Sequence, residues 1–206
     1  MKPIRFVATA LDDLREFPLA ARRECGYQLD RVQRGLDPTD WKPVSAVGLG
    51  VREIRVRDHN GAFRVIYVAK LADHICVLHC FQKKTQQIPA ADLNLAAKRL
   101  RQVVAEFEKG RALMADETFD SVWDAIEDTP QEAENMRLRS RLMIELTERI
   151  TAQGWTQLAA AERLGVTQPR VSDLMRGKVH LFSLDSLVNM VTAAGMHVEM
   201  TVEPAA

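Results

Sequence analysis

The stretch from Thr156 to Lys178, TQLAAAERLGVTQPRVSDLMRGK, constrains the fold more than any other part of this chain. Thr156 is a good N-cap for a first short helix. Gly165 stands where that helix must end, because glycine adopts the left-handed conformation of a tight turn at little cost. A second helix is expected to begin at Thr167, with apolar residues along one side. The pattern therefore predicts two short helices packed across a tight turn.

The second of these helices begins with residues that have no use in a protein core. Pro169 fits the first turn of a helix, and Gln168 and Arg170 carry the side chains that read adenine and guanine edges in DNA. An ordinary corner between two bundle helices is the alternative, since an Ala-rich first helix suits it equally. The polar Gln-Pro-Arg start favours a DNA-binding helix-turn-helix.

With this pattern, residues from about 138 to 195 resemble the XRE, or phage-repressor-like, family of DNA-binding domains. The resemblance implies a homodimer on operator DNA and, by position, a phosphate contact for Gln157. It also implies base contacts for Thr167, Gln168, Arg170 and Asp173, and DNA-backbone contacts for Arg176 and Lys178.

Length and charge favour two domains rather than one. The chain has 206 residues, whereas single domains most often have about 100–150. Residues 1–113 carry 20 Lys and Arg against 13 Asp and Glu, and residues 114–206 carry 8 against 15. A basic half suits a nucleic-acid substrate, and an acidic half suits a partner that covers it.

Cysteine usage and hydropathy argue against several classes of protein. Cys25, Cys76 and Cys80 are odd in number and lack metal-type spacing with histidine, which indicates reduced thiols in a cytoplasmic protein. No signal segment, membrane span, metal or cofactor is expected. The common nucleotide-binding, zinc-protease and hydrolase motifs are missing, which weakens the usual enzyme classes.

The first half reads as a small sheet with helices. A short strand is expected at Ile4–Val7, and two helices follow with a break near Pro18. Three alternating runs predict an antiparallel meander, and a helix follows it: Val51–Arg57, Ala62–Lys70, His74–Phe81 and Ala90–Lys109. In the first run, Ile54 and Val56 share one face and Arg55 lies on the other, because side chains alternate along a strand.

Three motifs in these runs carry a second resemblance. They are Arg52-Glu53-Ile54-Arg55, Phe63-Arg64-Val65-Ile66-Tyr67 and His79-Cys80-Phe81-Gln82-Lys83-Lys84-Thr85. Over about residues 3–107 the chain resembles the RelE/HigB superfamily of toxins, in its phage-derived branch. The resemblance implies a small ribonuclease that enters the ribosomal A site and cleaves messenger RNA without a metal.

That chemistry suits the residue types present. The 2′-hydroxyl of the RNA attacks the adjacent phosphate, so the protein must stabilise an anionic phosphorane, and Arg55, Arg64, Lys83 and Lys84 are the candidates for this. A solvated, basic sheet face is the alternative. His79 has a suitable intrinsic pKa for a general base, but in an apolar strand a packed histidine is the alternative, so the acid and base remain open.

Between the two resemblances, Met114 and the acidic residues after it look like the start of a second protein. An amphipathic helix is expected from Phe119 through Ile126, with Trp123 as an apolar anchor against the basic half. Three further elements are expected: helices 130–153 and 184–194, and a last strand, His197–Val202. The predicted domains are 1–110, a linker and acidic segment at 111–135, and 136–206.

Together the two resemblances match a HigB-type toxin followed by a HigA-type antitoxin in a single α+β polypeptide. The expected partners are messenger RNA on the ribosome, operator DNA, and the two domains with each other, either within one chain or between two chains. The alternative is a DNA-binding regulator whose first domain is an inactive RNA-binding or dimerisation module.

Overall fold

A computed structural model describes residues 1–71, 74–85, 87–108 and 117–202. The chain forms two compact units, Met1–Glu134 and Asn135–Ala206. Residues 111–116 of the expected linker lie outside the described residues, and the acidic residues 117–134 belong to the first unit. The limits drawn from the sequence, 1–110, 111–135 and 136–206, remain a prediction.

The first unit is built on one six-stranded sheet with the strand order β2-β3-β4-β5-β1-β6. The strands are β1 (Ile4–Phe6), β2 (Trp41–Pro43), β3 (Val51–Asp58), β4 (Gly61–Leu71), β5 (His74–Lys83) and β6 (Glu117–Phe119). The antiparallel meander β3-β4-β5 is confirmed, and β1 lies parallel to β5. The two edge strands, β2 and β6, were not expected, because each has only three residues and too short a pattern to detect.

Helices cover both faces of this sheet. They are α1 (Ala10–Arg15), α2 (Leu19–Gln33), α3 (Ala90–Glu108) and α4 (Val122–Ile126). On one face the ring of Phe17, after α1, lies 4.8 Å from that of Phe63 on β4. On the other, Ala96 and Val103 of α3 pack against Ile66 of β4. Burial on both faces explains why β4 and β5 are nearly continuous apolar runs.

The second unit is helical. Its elements are α5 (Pro130–Ala152), which spans the division at residue 134, α6 (Gln157–Leu164), α7 (Gln168–Arg176), a 3₁₀ turn (Val179–Leu181) and α8 (Leu184–Ala193). The Thr156 hydroxyl accepts a hydrogen bond from the Ala159 N–H, and Gly165 has a φ of 66°, so the expected cap and turn are both confirmed. Val171 and Leu174 are wholly buried, as the predicted stripe requires.

Two expected elements are wrong. Residues 197–202 form no strand, because a strand requires a neighbouring strand to bond its backbone groups and none lies beside it among the described residues. The acidic helix does not begin at Phe119, which lies in β6; α4 starts only at Val122, where the Ser121 hydroxyl accepts a hydrogen bond from the Trp123 N–H. In the part of the chain that is described, no helix is long and apolar enough to cross a membrane.

Candidate functional site

The sheet brings four of the predicted catalytic residues to one face: Arg55, Arg64, Lys83 and His79. Arg55 on β3 lies opposite Arg64 on β4, and Arg64 lies opposite Phe81 on β5. In the next position Arg57 and Lys83 flank Ala62 on the same face. We call Arg55, Arg57, Arg64 and Lys83 the basic row. Lys84 follows the end of β5 and is exposed, so it adjoins the row without belonging to it.

Arg64 is the most deeply buried member of the basic row. Its side chain is only 2% exposed, and its Nη1 donates to the carbonyl of Phe63 at 2.8 Å. Burial lowers the pKa of the Arg64 guanidinium, and the nearest carboxylate, Glu53, lies 3.9 Å from its Nε. Arg64 Nε and Glu53 Oε2 are both buried without a hydrogen bond, so this partner compensates the buried charge only weakly. In this state Arg64 does not face solvent, so contact with a substrate requires the site to open.

Two arginines of β3, Arg52 and Arg55, are paired with acidic residues from the loop before β2. The Nε of Arg55 donates to the carboxylate of Asp40 at 2.8 Å. Arg52 donates to Asp37 at 2.7 Å, and its guanidinium lies 4.1 Å from the centre of the Trp41 ring. These ion pairs are partly exposed and individually weak, so a phosphate can compete with them. Sequence reasoning missed Asp37 and Asp40, because no pattern links them to β3.

His79 is packed between two carboxylates. It is only 7% exposed. Its Nε2 lies 2.9 Å from Asp92 at the start of α3, its Nδ1 lies 3.5 Å from Asp13 of α1, and its ring stacks on Phe81. Since both ring nitrogens face carboxylates, neither is directed at an open site. The geometry favours the packed-histidine alternative, in which His79 ties α1 and α3 to β5.

The other reactive groups suggest no metal or thiol chemistry. Burial raises the pKa of the Cys25 and Cys80 thiols well above their ordinary value, and all three cysteines are buried and free. A buried neutral thiol is a poor nucleophile and a poor metal ligand. Within the described ranges, no group of three or more His, Cys, Asp or Glu could hold a metal ion.

The predicted DNA-reading residues lie along α7 and at both of its ends, with Gln157 at the start of α6. The side-chain amide of Gln168 donates to that of Gln157 at the start of α6, so the two helices present one polar surface. Thr167, Gln168 and Arg176 are exposed. A hydrogen bond between two exposed glutamines limits their conformers.

Three of the predicted DNA contacts, Arg170, Asp173 and Lys178, have partners inside the unit. The guanidinium of Arg170 lies 3.9 Å from the centre of the Phe182 ring and donates to the carbonyl of Leu181 at 2.6 Å. Arg170 therefore fastens the 3₁₀ turn to α7. Lys178 pairs with Asp173 at 2.8 Å across the end of α7. These residues lie beside the expected DNA surface, but each side chain already has a bonding partner within the unit.

A third feature of the molecule is the placement of residues 117–128, which we call the docking segment. Its strand, β6, pairs antiparallel with β1, with Thr118 opposite Arg5. The ring of Phe119 meets the ring of Phe6 edge-on, with centroids 6.2 Å apart. Its helix, α4, lies against α1 and α2. The acidic segment thus extends the sheet of the first unit by one strand and one short helix.

Trp123 and Ile126 of the docking segment are wholly buried in a slot at Gly26 of α2. A Cβ at Gly26 would lie 2.9 Å from Cζ3 of Trp123 and 2.4 Å from Cδ1 of Ile126, both closer than normal packing allows. Only glycine fits this position without displacement. The sequence named Trp123 and Phe119 as apolar anchors, but the slot in α2 was missed because it depends on a contact about 100 residues away in the chain.

Comparison with protein families agrees with this geometry in both units. Residues 125–203 match the family described as a helix-turn-helix domain. Residues 12–101 match the family described as a phage derived protein, Gp49-like. The chain therefore joins a Gp49-like, phage-derived domain to a helix-turn-helix domain. No curated protein matches it.

Proposed function

We propose that this protein is a HigB/HigA-type toxin and antitoxin in one polypeptide. Its first unit is an endoribonuclease that cleaves messenger RNA on the ribosome, and its second unit binds its own operator as a dimer. The observation that carries the proposal is that an acidic segment from the start of the second half is docked on the Gp49-like unit. Residues 117–134 contain seven carboxylates and no basic side chain, as suits a partner of a basic ribonuclease.

The basic row supplies the chemistry. When a ribose 2′-hydroxyl attacks the neighbouring phosphate, negative charge builds up on the phosphorane, and guanidinium and ammonium groups fixed nearby stabilise it. Arg55 and Lys83 are close to the surface, and Lys84 is exposed. Arg64 joins them once its contact with Glu53 opens. The resting chain is inactive in this account, because its basic row is paired internally and the attached second half hinders entry into the ribosomal A site.

A different function is favoured by one observation. Arg64 is buried and Arg55 is paired with Asp40, so the first unit resembles a stable scaffold as much as a ready catalyst. The chain would then be a DNA-binding regulator whose first unit is an inactive RNA-binding or dimerisation module.

Growth of cells that express residues 1–110 alone separates these two functions. We expect growth arrest, which co-expression of residues 114–206 relieves. Arg64→Ala and Lys83→Ala should each abolish the arrest, because each removes charge that stabilises the phosphorane. Lys98→Ala, which removes an exposed lysine on α3, is the matched control and should leave the arrest intact. Normal growth despite accumulation of the soluble fragment would favour the regulator.

A further inference from the structure

The docking segment is held by hydrogen bonds to its backbone groups as well as by contacts with its side chains. The amide nitrogen of Gln33 donates to the Asp120 carbonyl at 3.0 Å, and its amide oxygen accepts from the Val122 N–H at 2.8 Å. Nε and Nη2 of Arg15 donate to the Ala125 carbonyl at 3.0 and 2.7 Å. Each contact satisfies a polar group at one end of α4, where a five-residue helix leaves its own groups unpaired.

A buried ion pair closes the far end of the segment. Arg23 donates two hydrogen bonds to the carboxylate of Glu127, at 2.9 and 2.7 Å, and these bonds raise the pKa of the Arg23 guanidinium. The Glu127 side chain is wholly buried, and Arg23 is only 15% exposed. This bidentate geometry selects a carboxylate at the end of the peptide.

The segment is also well placed to dock within its own chain. Arg5 of β1 donates to Glu106, near the end of α3, at 2.7 Å. Arg5 also lies opposite Thr118 of β6. The chain therefore leaves α3 beside the strand edge on which the docking segment begins. A short link of this kind raises the effective concentration of the segment to roughly the millimolar range.

The docking segment does not cover the basic row. In the strand order, β6 is two to four positions from the strands that carry the row, β5, β4 and β3, which corresponds to about 10–19 Å across the sheet. Its helix lies against α1 and α2, whereas the basic row lies on the face that packs against α3. The segment therefore acts as an anchor and does not block the row.

We propose that the groove formed by α1, α2 and the edge of β1 that β6 occupies is a peptide-binding site for an acidic strand–helix segment. Its occupant is residues 117–128 of the same chain. This segment alone, without the helix-turn-helix domain, retains the second half on the first. The proposal rests on the proposed function, because it names the part of the antitoxin half that holds the toxin unit.

A competition experiment on the cut chain tests the proposal. A protease site is placed between Glu108 and Glu117, the purified full-length protein is cut, and the fragments are run on a sizing column at micromolar concentration. We expect them to elute together. A synthetic peptide of residues 117–134 in excess should then release the C-terminal fragment, because it fills the same groove.

The matched control is the same peptide with Trp123→Ala, which should need more than about a hundredfold higher concentration, because the largest buried side chain of the segment is removed. Fragments that separate without peptide would overturn the proposal, as would fragments that stay together at saturating peptide. RNA cleavage is measured in the same samples. Displacement by the peptide with no cleavage in any sample would count against the proposed ribonuclease and leave the docking site standing.

Discussion

The slot at Gly26 gives the sharpest prediction, because a single added methyl group acts in opposite directions on α2 and on the docking segment. Inside a helix, alanine is more favourable than glycine by about 1 kcal/mol, so Gly26→Ala should stabilise α2 itself. The new Cβ would lie 2.4 Å from Ile126 Cδ1 and 2.9 Å from Trp123 Cζ3. Overpacking of this kind costs about 1–3 kcal/mol. We therefore expect a net loss of about 0–2 kcal/mol in the free energy of unfolding of the first unit.

A second substitution identifies the contact responsible. Ile126→Val removes the Cδ1 methyl group that the new Cβ would strike, and on its own it should cost about 0.5–1.5 kcal/mol. In the double variant the total cost should fall below the sum of the single costs by about 1 kcal/mol, since the closest clash has been removed. Urea unfolding of the full chain, followed by circular dichroism and tryptophan fluorescence, measures all four proteins.

The control is Ile150→Val, which deletes the same methyl group at a similarly buried position in the second unit. Its effect should add to that of Gly26→Ala. If Ile126→Val also adds to Gly26→Ala to within about 0.5 kcal/mol, the two residues are not in contact and the reasoning about the slot is refuted.

Four other substitutions test the remaining contacts. Asp40→Asn should strengthen binding of a short RNA by about 0.2–1 kcal/mol, because it frees Arg55 from its ion pair. Fluorescence anisotropy measures the affinity, with Asp58→Asn as the control. Equal changes in both variants would show that the loss of a negative charge, and not the release of Arg55, is responsible. Gln168→Ala should reduce the free energy of binding by on the order of 1–3 kcal/mol for the operator alone. Lys178→Ala should instead weaken binding to all DNA and reduce the salt dependence of the affinity. Gel-shift titrations measure both effects. An equal loss of affinity for operator and for unrelated DNA in Gln168→Ala would exclude base recognition by Gln168. Glu127→Ala removes both short hydrogen bonds of the Arg23 guanidinium and leaves it only the Glu132 carboxylate at 3.5 Å, so it should cost up to about 3–5 kcal/mol in urea unfolding; a loss below about 1 kcal/mol would show that the pair is solvated.

The second unit was determined largely by local sequence. The caps at Thr156 and Ser183 act on N–H groups three residues away, and Gly165 and Gly177 end their helices because they adopt positive φ values. Each signal depends on neighbours within one or two turns, so a single sequence is enough to read it. The strand expected at 197–202 failed for the converse reason, since strand formation requires a partner that a local pattern does not specify.

In the first unit, alternation determined which residues share a face, and the tertiary structure decided what those residues meet. The period of two placed Arg55 off the core face of its strand, whereas Arg64 was named through the resemblance of its motif to the toxin family. Arg55 pairs with Asp40, and Arg64 lies beside Glu53. Asp40 precedes Arg55 by 15 residues and lies in a loop, and the position of that loop depends on how the chain returns to the sheet. The sequence could thus identify the basic row but not its paired state.

The docking segment shows the same division over a longer distance. Its amino-acid sequence alone determined an acidic, aromatic character that suits the basic half, and it named Trp123 as an anchor. Only the tertiary structure decided that the segment adds a strand beside β1 and fills the slot at Gly26. The physical reason is that pairing and packing join groups about 100 residues apart, and their fit depends on distances that no local periodicity encodes.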